Sequence, residues 1–208
     1  MHTIRKGEPR DIAAIAVIYD RILDREERGG ASTGWIRGVY PTADTARAAL
    51  EAGELFVMER EGRVVVAGRI NHEQCPQYAA VPWTEPETPD EQVLVLHTLV
   101  SDPLVAGHGC GTEFVAFYEQ YAREHGCTWL RIDTNARNVS ARRLYARLGY
   151  RDPRCAACLH GKARLTRRNI PSEDPAKRGC AAARGRLFFL FGISLDSYGY
   201  VLCITRIL

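Results

Sequence analysis

A glycine-rich turn offers the first candidate chemistry in the chain. Gly107, Gly109 and Gly111 occupy alternate positions where an apolar run gives way to a helical pattern. Bare backbone at the start of a helix presents free N–H groups and the positive end of the helix dipole to an anion. The spacing therefore indicates an anion-binding loop, and a tight strand-to-helix connection is the alternative that the loop alone leaves open.

Two common phosphate-binding loops are excluded by the residues that follow these glycines. A nucleoside-triphosphate loop requires Gly-Lys-Ser/Thr at the start of the helix, but Gly111 is followed by Thr112 and Glu113. A dinucleotide fingerprint requires a third glycine three places after the second, and Thr112 occupies that place. The anion must therefore belong to a different class of ligand.

The residues around the loop predict a βαβα unit. An apolar run over 92–100 predicts a strand buried on both faces, and 128–134 predicts a second strand. The segment 138–150 predicts a helix that begins at an Asn138 N-cap and ends before Gly149. Between the strands lies a helix whose aromatic stripe is Phe114, Phe117, Tyr118 and Tyr121, with Gly126 as its C-cap. Two strands joined in this way should be parallel.

The first ninety residues predict further elements in the same layer pattern. Residues 2–7 predict a strand, and residues 55–74 alternate around a turn, which predicts a hairpin. Helical spacing of apolar residues predicts helices within 8–30 and 43–54. Residues 75–91 are acidic and contain four prolines, so regular structure is not expected there.

Composition places the chain among ordinary folded proteins. Of its 208 residues, 46% are apolar and 25% are charged, which argues against disordered, collagen-like and membrane-spanning classes. The formal net charge is +3, and the basic excess lies in residues 151–208. Seven scattered cysteines do not form a disulfide framework, so a reducing, cytoplasmic setting is expected, without a membrane segment.

The buried strand, the Gly-x-Gly-x-Gly loop and the pattern Asn-x-x-Ala-Arg-x-Leu-Tyr-x-x-Leu-Gly-Tyr at 138–150 together resemble the GNAT superfamily of acyl-CoA-dependent N-acetyltransferases. The resemblance covers about residues 4–152. It implies a mixed α/β fold, with a central, largely antiparallel sheet, one splayed parallel strand pair and helices on both faces. It also implies a GNAT-like domain over 1–152, followed by an atypical basic tail over 153–208.

The function implied by this resemblance is transfer of an acetyl group from acetyl-CoA to a primary amine by direct attack. Tyr145 would be the general acid for the departing thiolate, and a core tyrosine is the alternative. Ala106 stands where the family has Gln or Arg, so the loop would bind the CoA pyrophosphate through backbone N–H groups. The cofactor-binding residues implied are Leu99, Val100, Gly107, His108, Gly109, Cys110, Gly111, Thr112, Asn138, Ala141 and Tyr145. A non-catalytic acyl-CoA-binding module with the same fold is the alternative function.

The general base stays open among four side chains, which are His97, Glu73, Glu91 and Asp133. A structural role is the alternative for His97. The acceptor would be a small-molecule or peptide amine, recognised by residues 29–42, with Trp35 and Tyr40, and by residues 76–91. The acidic side chains of 76–91 would suit a cationic amine, although a solvated surface is the simpler interpretation.

The tail departs from the resemblance. Residues 186–193 and 200–208 are apolar and could form a hairpin that replaces the last strands of the family; a shifted reading frame from Pro153 onward is the alternative. No metal site is expected, since a second well-spaced ligand pair is absent around the tail ligands Cys155, Cys158, His160 and Cys180. Nucleic acid is not an expected partner, and the sequence leaves open whether the chain forms a homodimer.

Overall fold

Ten strands and helices build the described part of the fold. The computed structural model describes residues 2–30, 33–75, 78–79, 81–83, 87–153 and 201–208. The strands and helices, in chain order, are β1 (His2–Lys6), α1 (Asp11–Glu27), α2 (Ala43–Glu51), β2 (Leu55–Arg60), β3 (Arg63–Asn71), β4 (Val93–Ser101), α3 (Cys110–Glu124), β5 (Trp129–Asn135), α4 (Val139–Arg147) and β6 (Val201–Ile207). Short 3₁₀ turns at Asp90–Gln92 and Pro103–Val105 precede and follow β4.

One sheet holds all six described strands, in the order β1-β2-β3-β4-β5-β6. The neighbours are antiparallel except for β4 and β5, which are parallel. Their pairing covers only Val93–Leu96 against Trp129–Ile132, whereas β5 pairs with β6 along its whole length. The two parallel strands therefore separate beyond Leu96 and Ile132, and the expected splayed pair is confirmed.

Alternation along β2 shows how the sheet separates two apolar layers. Leu55 and Val57 pack with α1 and α2 on one face, while Phe56 and Met58 pack with α3 and α4 on the other. All four side chains are buried, because successive residues of a strand point to opposite faces. The prediction of helices on both faces is confirmed.

Capping groups define the ends of the two helices that follow the parallel strands. The side chain of Asn138 accepts a hydrogen bond from the Ala141 N–H at 3.1 Å, which starts α4. Gly149 follows α4 with φ +90°, and Gly126 follows α3 with φ +74°. Both glycines adopt the left-handed backbone that ends helices, as the sequence predicts.

The proline-rich segment is anchored by its aromatic residues. Tyr78 is buried against Val93 and Val95 of β4, and its ring meets that of Trp83 at 5.4 Å between centroids. Glu87 and Asp90 are exposed. The described acidic side chains of this segment thus face solvent, as the simpler interpretation holds, while its aromatic side chains hold it on the sheet.

Strand β6 carries the described part of the tail. Arg206 donates hydrogen bonds to the Glu119 carboxylate at 2.7 Å and to the Leu148 carbonyl oxygen at 2.6 Å, which joins β6 to α3 and to the end of α4. The first arm predicted for the tail hairpin, 186–193, lies outside the described residues, and so do Cys155, Cys158, His160 and Cys180. Among the residues that the structure describes, none of the helices combines the length and apolarity that crossing a membrane requires.

Candidate active site

A cleft of about 1230 Å³ opens where β4 and β5 separate. It is lined by the unpaired ends of the two strands, by residues of α4 and by the glycine loop. The segment before α2 contributes Trp35 and Tyr40 to the lining, and their rings meet edge to face at 5.9 Å. The parallel pair therefore creates one continuous site that the glycines and the aromatic segment share.

A bulge distorts β4 inside this cleft. Ala67 pairs with Val100 and Arg69 pairs with His97, so that two residues, Thr98 and Leu99, lie opposite Gly68. An extra residue in one strand leaves backbone groups outside the sheet ladder. The backbone N–H groups of this stretch are thus candidates for binding a ligand.

Close packing behind the bulge and a contact in front of it hold it in place. A methyl group at Gly68 would lie 3.0 Å from the side chains of both Leu96 and Phe114, so these side chains pack closely on the strand because Gly68 has no side chain. Thr98 has φ +49°, and its hydroxyl is hydrogen-bonded to that of Tyr40. The segment before α2 therefore contacts the distorted strand directly.

The glycine loop leads into α3 with its amide groups free of intrahelical partners. Gly107 and Gly109 have φ +85° and +83°, and Gly109 is the N-cap. Glu113 makes the first helical hydrogen bond, to the Gly109 carbonyl oxygen at 3.0 Å. The N–H groups of the intervening first turn point out of the helix, as at every helix start, and the dipole there favours an anion.

Most of the cofactor-binding residues implied by the sequence line this cleft. They are Leu99, Val100, Gly107, Gly109, Gly111, Thr112, Asn138, Ala141 and Tyr145. Two others do not: His108 is exposed and its Nδ1 faces the Val105 carbonyl oxygen, and Cys110, the first residue of α3, is buried in the core. Asn138 faces the cleft while its Oδ1 caps α4.

Tyr145 projects from α4 into the core side of the cleft. Its ring is 5% exposed and lies 5.9 Å from the ring of Tyr150. Burial raises the pKa of Tyr145 above its ordinary value, and the carboxylate of Asp133 raises it further. The phenol is therefore neutral near pH 7 and carries a proton that it can donate.

His97 holds a defined tautomer. Asn71 Nδ2 donates to Glu54 Oε2 at 2.9 Å, which turns Asn71 Oδ1 toward His97 Nε2 at 2.9 Å. Nε2 must then carry the hydrogen, and the lone pair of the neutral ring is on Nδ1. Burial lowers the pKa of His97, with Asp133 opposing that effect, so the neutral form dominates near pH 7.

The other candidates for a base differ in position. Glu73 lies in the cleft, but Arg69 donates to its carboxylate at 2.7 Å. Asp133 also lies in the cleft and accepts a hydrogen bond from the Tyr78 hydroxyl at 2.8 Å. Glu91 belongs to the 3₁₀ turn before β4, outside the residues that line the cleft. Position and tautomer together favour His97.

Three residues that form or support the site were not predicted from the sequence. Asn71 orients His97, Cys75 lies 3.9 Å from His97 Nδ1, and Thr98 adopts a backbone conformation that β-branched residues rarely take. A polar residue at the end of a buried strand was the available signal for Asn71. Cys75 and Thr98 gave no signal, because their placement depends on contacts with distant segments.

The sheet with its splayed strands, glycine loop and helix-borne tyrosine defines an acetyltransferase fold, and comparison with known families agrees. The model of the acetyltransferase (GNAT) family matches residues 21–150. The chain belongs to this family, whose enzymes use acetyl-CoA. No curated protein matches the chain.

Solved structures share the fold at low sequence identity. A GNAT-family acetyltransferase from Streptococcus agalactiae superposes with a TM-score of 0.61 at 18% identity, over 72% of this chain and 85% of that one. The ribosomal-protein-alanine N-acetyltransferase from Brucella melitensis gives 0.58 at 18% identity, over 99% of each chain. The Salmonella typhimurium protein yncA, solved with its cofactor acetyl-CoA, gives 0.52 at 19% identity, over 72% and 79%.

Proposed function

We propose that the protein transfers an acetyl group from acetyl-CoA to a primary amine by direct attack of the amine on the thioester. The observation that carries the proposal is the single cleft between β4 and β5. It is lined by Gly109, Gly111 and Thr112 at the start of α3, by Tyr145 and the bulged strand, and by His97 and Trp35. A ligand with an anionic end and a reactive acyl end would contact these groups within one cleft.

The glycine loop fits the pyrophosphate of acetyl-CoA. Gly107 has no heavy atom within 4 Å of the position that a β-carbon would take, so a phosphate could approach the backbone closely. Gly111 faces Leu144 and Ser101 at 3.4 and 3.6 Å in the same test, which leaves the helix start narrow on its inner side. The backbone N–H groups of Gly107 and of Gly109 to Thr112 would hold the phosphates, since Ala106 supplies no charge and the His108 N–H donates to the Val105 carbonyl oxygen at 3.3 Å.

Acetyl-CoA supplies an activated acyl group when bound. Thr98 and Leu99 of the bulge are unpaired with β3 and line the cleft, and an N–H of Leu99 or Val100 would polarise the thioester oxygen. A preorganised backbone donor of this kind stabilises developing negative charge without reorganising during the reaction. Hydrogen bonding of Thr98 to Tyr40 keeps the donors in place.

Two side chains would move the protons. His97 would take a proton from the amine at Nδ1, because Nε2–H is held by Asn71. Tyr145 would donate its proton to the departing thiolate. The raised pKa of Tyr145 still allows proton transfer to the thiolate of CoA. Burial raises the pKa of a thiol as it does that of a phenol, so the two pKa values stay comparable.

The acceptor would enter from the side of Trp35, Tyr40 and Asp133. Aromatic faces and a carboxylate attract an ammonium group before it is deprotonated. The Brucella melitensis relative is described as acting on a ribosomal protein's alanine, so peptide amines belong among the acceptors to test beside small amines. Membership of the acetyltransferase family does not depend on this choice.

A two-part experiment tests the proposal. Calorimetry with acetyl-CoA measures binding, and release of free CoA thiol in the presence of amines, amino acids, polyamines and peptides measures transfer. We expect binding, and thiol release with at least one amine class. Tight binding without transfer to any acceptor would favour the acyl-CoA-binding module, and absence of binding would contradict both functions.

A further inference from the structure

Three side chains that could bind a metal converge at the acceptor end of the cleft. Cys75 follows β3, His97 lies on β4 and Asp133 on β5, and all three line the cleft. Their ligand atoms all lie within 4.8 Å of one another, with 3.9 Å between Cys75 Sγ and His97 Nδ1. His97 and Asp133 are the residues that directly follow the last paired positions of the parallel strands.

We infer that Cys75, His97 and Asp133 form a zinc(II) site. Bond lengths of about 2.0 to 2.3 Å place the ligand atoms of a tetrahedral zinc site roughly 3.3 to 3.8 Å apart. The observed separations exceed this range by about 1 Å at most, a distance that side-chain rotation covers. Three protein ligands leave the fourth position open toward the cleft, as in zinc sites that exchange a water or another small ligand.

Hydrogen bonds already orient two of the three ligands. Asn71 Oδ1 accepts the Nε2–H of His97, which leaves Nδ1, the atom facing Cys75, free to bind a metal. The Tyr78 hydroxyl donates to Asp133 Oδ1 at 2.8 Å, which leaves Oδ2 for the ion. Outer partners of this kind fix the ligand geometry of metal sites, so the pocket is built as a site rather than a chance cluster.

The donor set selects the ion. One sulfur, one nitrogen and one carboxylate oxygen suit zinc, whereas magnesium and calcium require oxygen ligands. A thiolate and a carboxylate would balance the two positive charges of the ion. Arg69 beside the site is engaged by Glu54 and Glu73, which reduces its repulsion of a cation.

Occupation of this site would inhibit transfer. The ion would bind the Nδ1 lone pair that the acceptor amine needs and would fill the space beside Asp133. This regulatory consequence rests on the proposed function, whereas zinc binding itself does not. Zinc would therefore act as a reversible inhibitor that a chelator removes.

Competition between the full-length protein and a chromogenic zinc chelator tests the site without acetyl-CoA or an acceptor. We expect the wild type to withdraw zinc from the chelator with micromolar or tighter affinity. Cys75→Ala should weaken that affinity by about 100-fold or more, and Asn71→Ala, which removes an outer partner, by roughly tenfold. Cys127→Ala is the matched control, because Cys127 is a free cysteine buried outside the cleft.

Each outcome either supports or overturns the zinc site. Unchanged zinc affinity in both Cys75→Ala and His97→Gln would assign any bound zinc to other thiols and overturn the site, as would failure of the wild type to compete at micromolar zinc. His97→Gln serves as the second variant if Cys75→Ala does not fold, which circular dichroism reports. Zinc binding that depends on Cys75, in a protein that shows no transfer activity even after a chelator has removed the zinc, would uphold the site and refute only the proposed function.

Discussion

Nε2 of His97 lies 2.9 Å from Oδ1 of Asn71 on the neighbouring strand, and this contact decides which ring nitrogen is free. The Asn71 amide is in turn oriented by Glu54, at the junction of α2 and β2. Glu54, which lies outside the cleft, thus determines which nitrogen of His97 is available inside it. Because the amide has no second orientation that satisfies both partners, the ring is held as well as oriented.

The contact between Asn71 and His97 predicts that substitutions of these two residues have non-additive effects. His97→Ala should lower kcat by on the order of 100-fold, the range for loss of a general base, with the KM for acetyl-CoA unchanged. Asn71→Ala should lower kcat by roughly tenfold, and the double variant should match His97→Ala, because Asn71 acts through His97. Steady-state kinetics of the three variants checks this. Multiplying effects would show that Asn71 acts independently.

Tyr145→Phe removes one hydroxyl and keeps the buried ring. We expect kcat to fall by on the order of 100-fold, because the departing thiolate loses its proton donor, while calorimetric affinity for acetyl-CoA stays at the wild-type value. Tyr121→Phe is the control, since Tyr121 stacks on His125 at the far end of α3, away from the cleft. Equal turnover in the two variants would remove the role of Tyr145.

Alanine substitutions at Gly107 and Gly126 test whether the glycine loop binds acetyl-CoA. The two variants carry similar backbone strain, but only Gly107 lies in the loop. Both have positive φ and open space at the β-carbon position. Alanine at either should cost about 1 to 2 kcal/mol of folding stability, measured by thermal unfolding. Only Gly107→Ala should weaken acetyl-CoA binding, because its methyl group would stand where a phosphate approaches. Equal affinities in the two variants would place the phosphates elsewhere.

Ala106 offers a gain-of-function test. Ala106→Arg places a charged donor beside the loop, and we expect acetyl-CoA to bind roughly fivefold more tightly, which corresponds to about 1 kcal/mol for a partly exposed ion pair. The gain should shrink as salt is raised. Ala106→Gln controls for side-chain length without charge. An Arg variant with unaltered affinity at low salt would argue against a phosphate near residue 106.

Local patterns in the sequence were sufficient for much of the architecture. Alternation of apolar residues predicted the hairpin of β2 and β3. The caps Asn138, Gly126 and Gly149 predicted the ends of the helices. Both kinds of signal depend on neighbouring residues in the sequence. The parallel pairing of β4 and β5 followed from the intervening helix.

The details of the candidate site depend on contacts between distant segments. Cys75, His97 and Asp133 come from three separate parts of the chain and lie close together in the fold. Their spacing in the sequence does not predict this proximity. The bulge places a β-branched residue at positive φ, against its intrinsic preference. Such a conformation persists only because surrounding contacts enforce it, so no local pattern predicts it.

The conformation of Thr98 has an implication for engineering this protein. Left-handed backbone at a threonine costs about 1 to 3 kcal/mol, which glycine or asparagine would relieve. Directed evolution that selects for heat resistance alone would therefore enrich substitutions of Thr98. Such a substitution would remove the hydrogen bond between residue 98 and Tyr40 and would lower turnover while it raises thermal stability. Selection should therefore measure both properties.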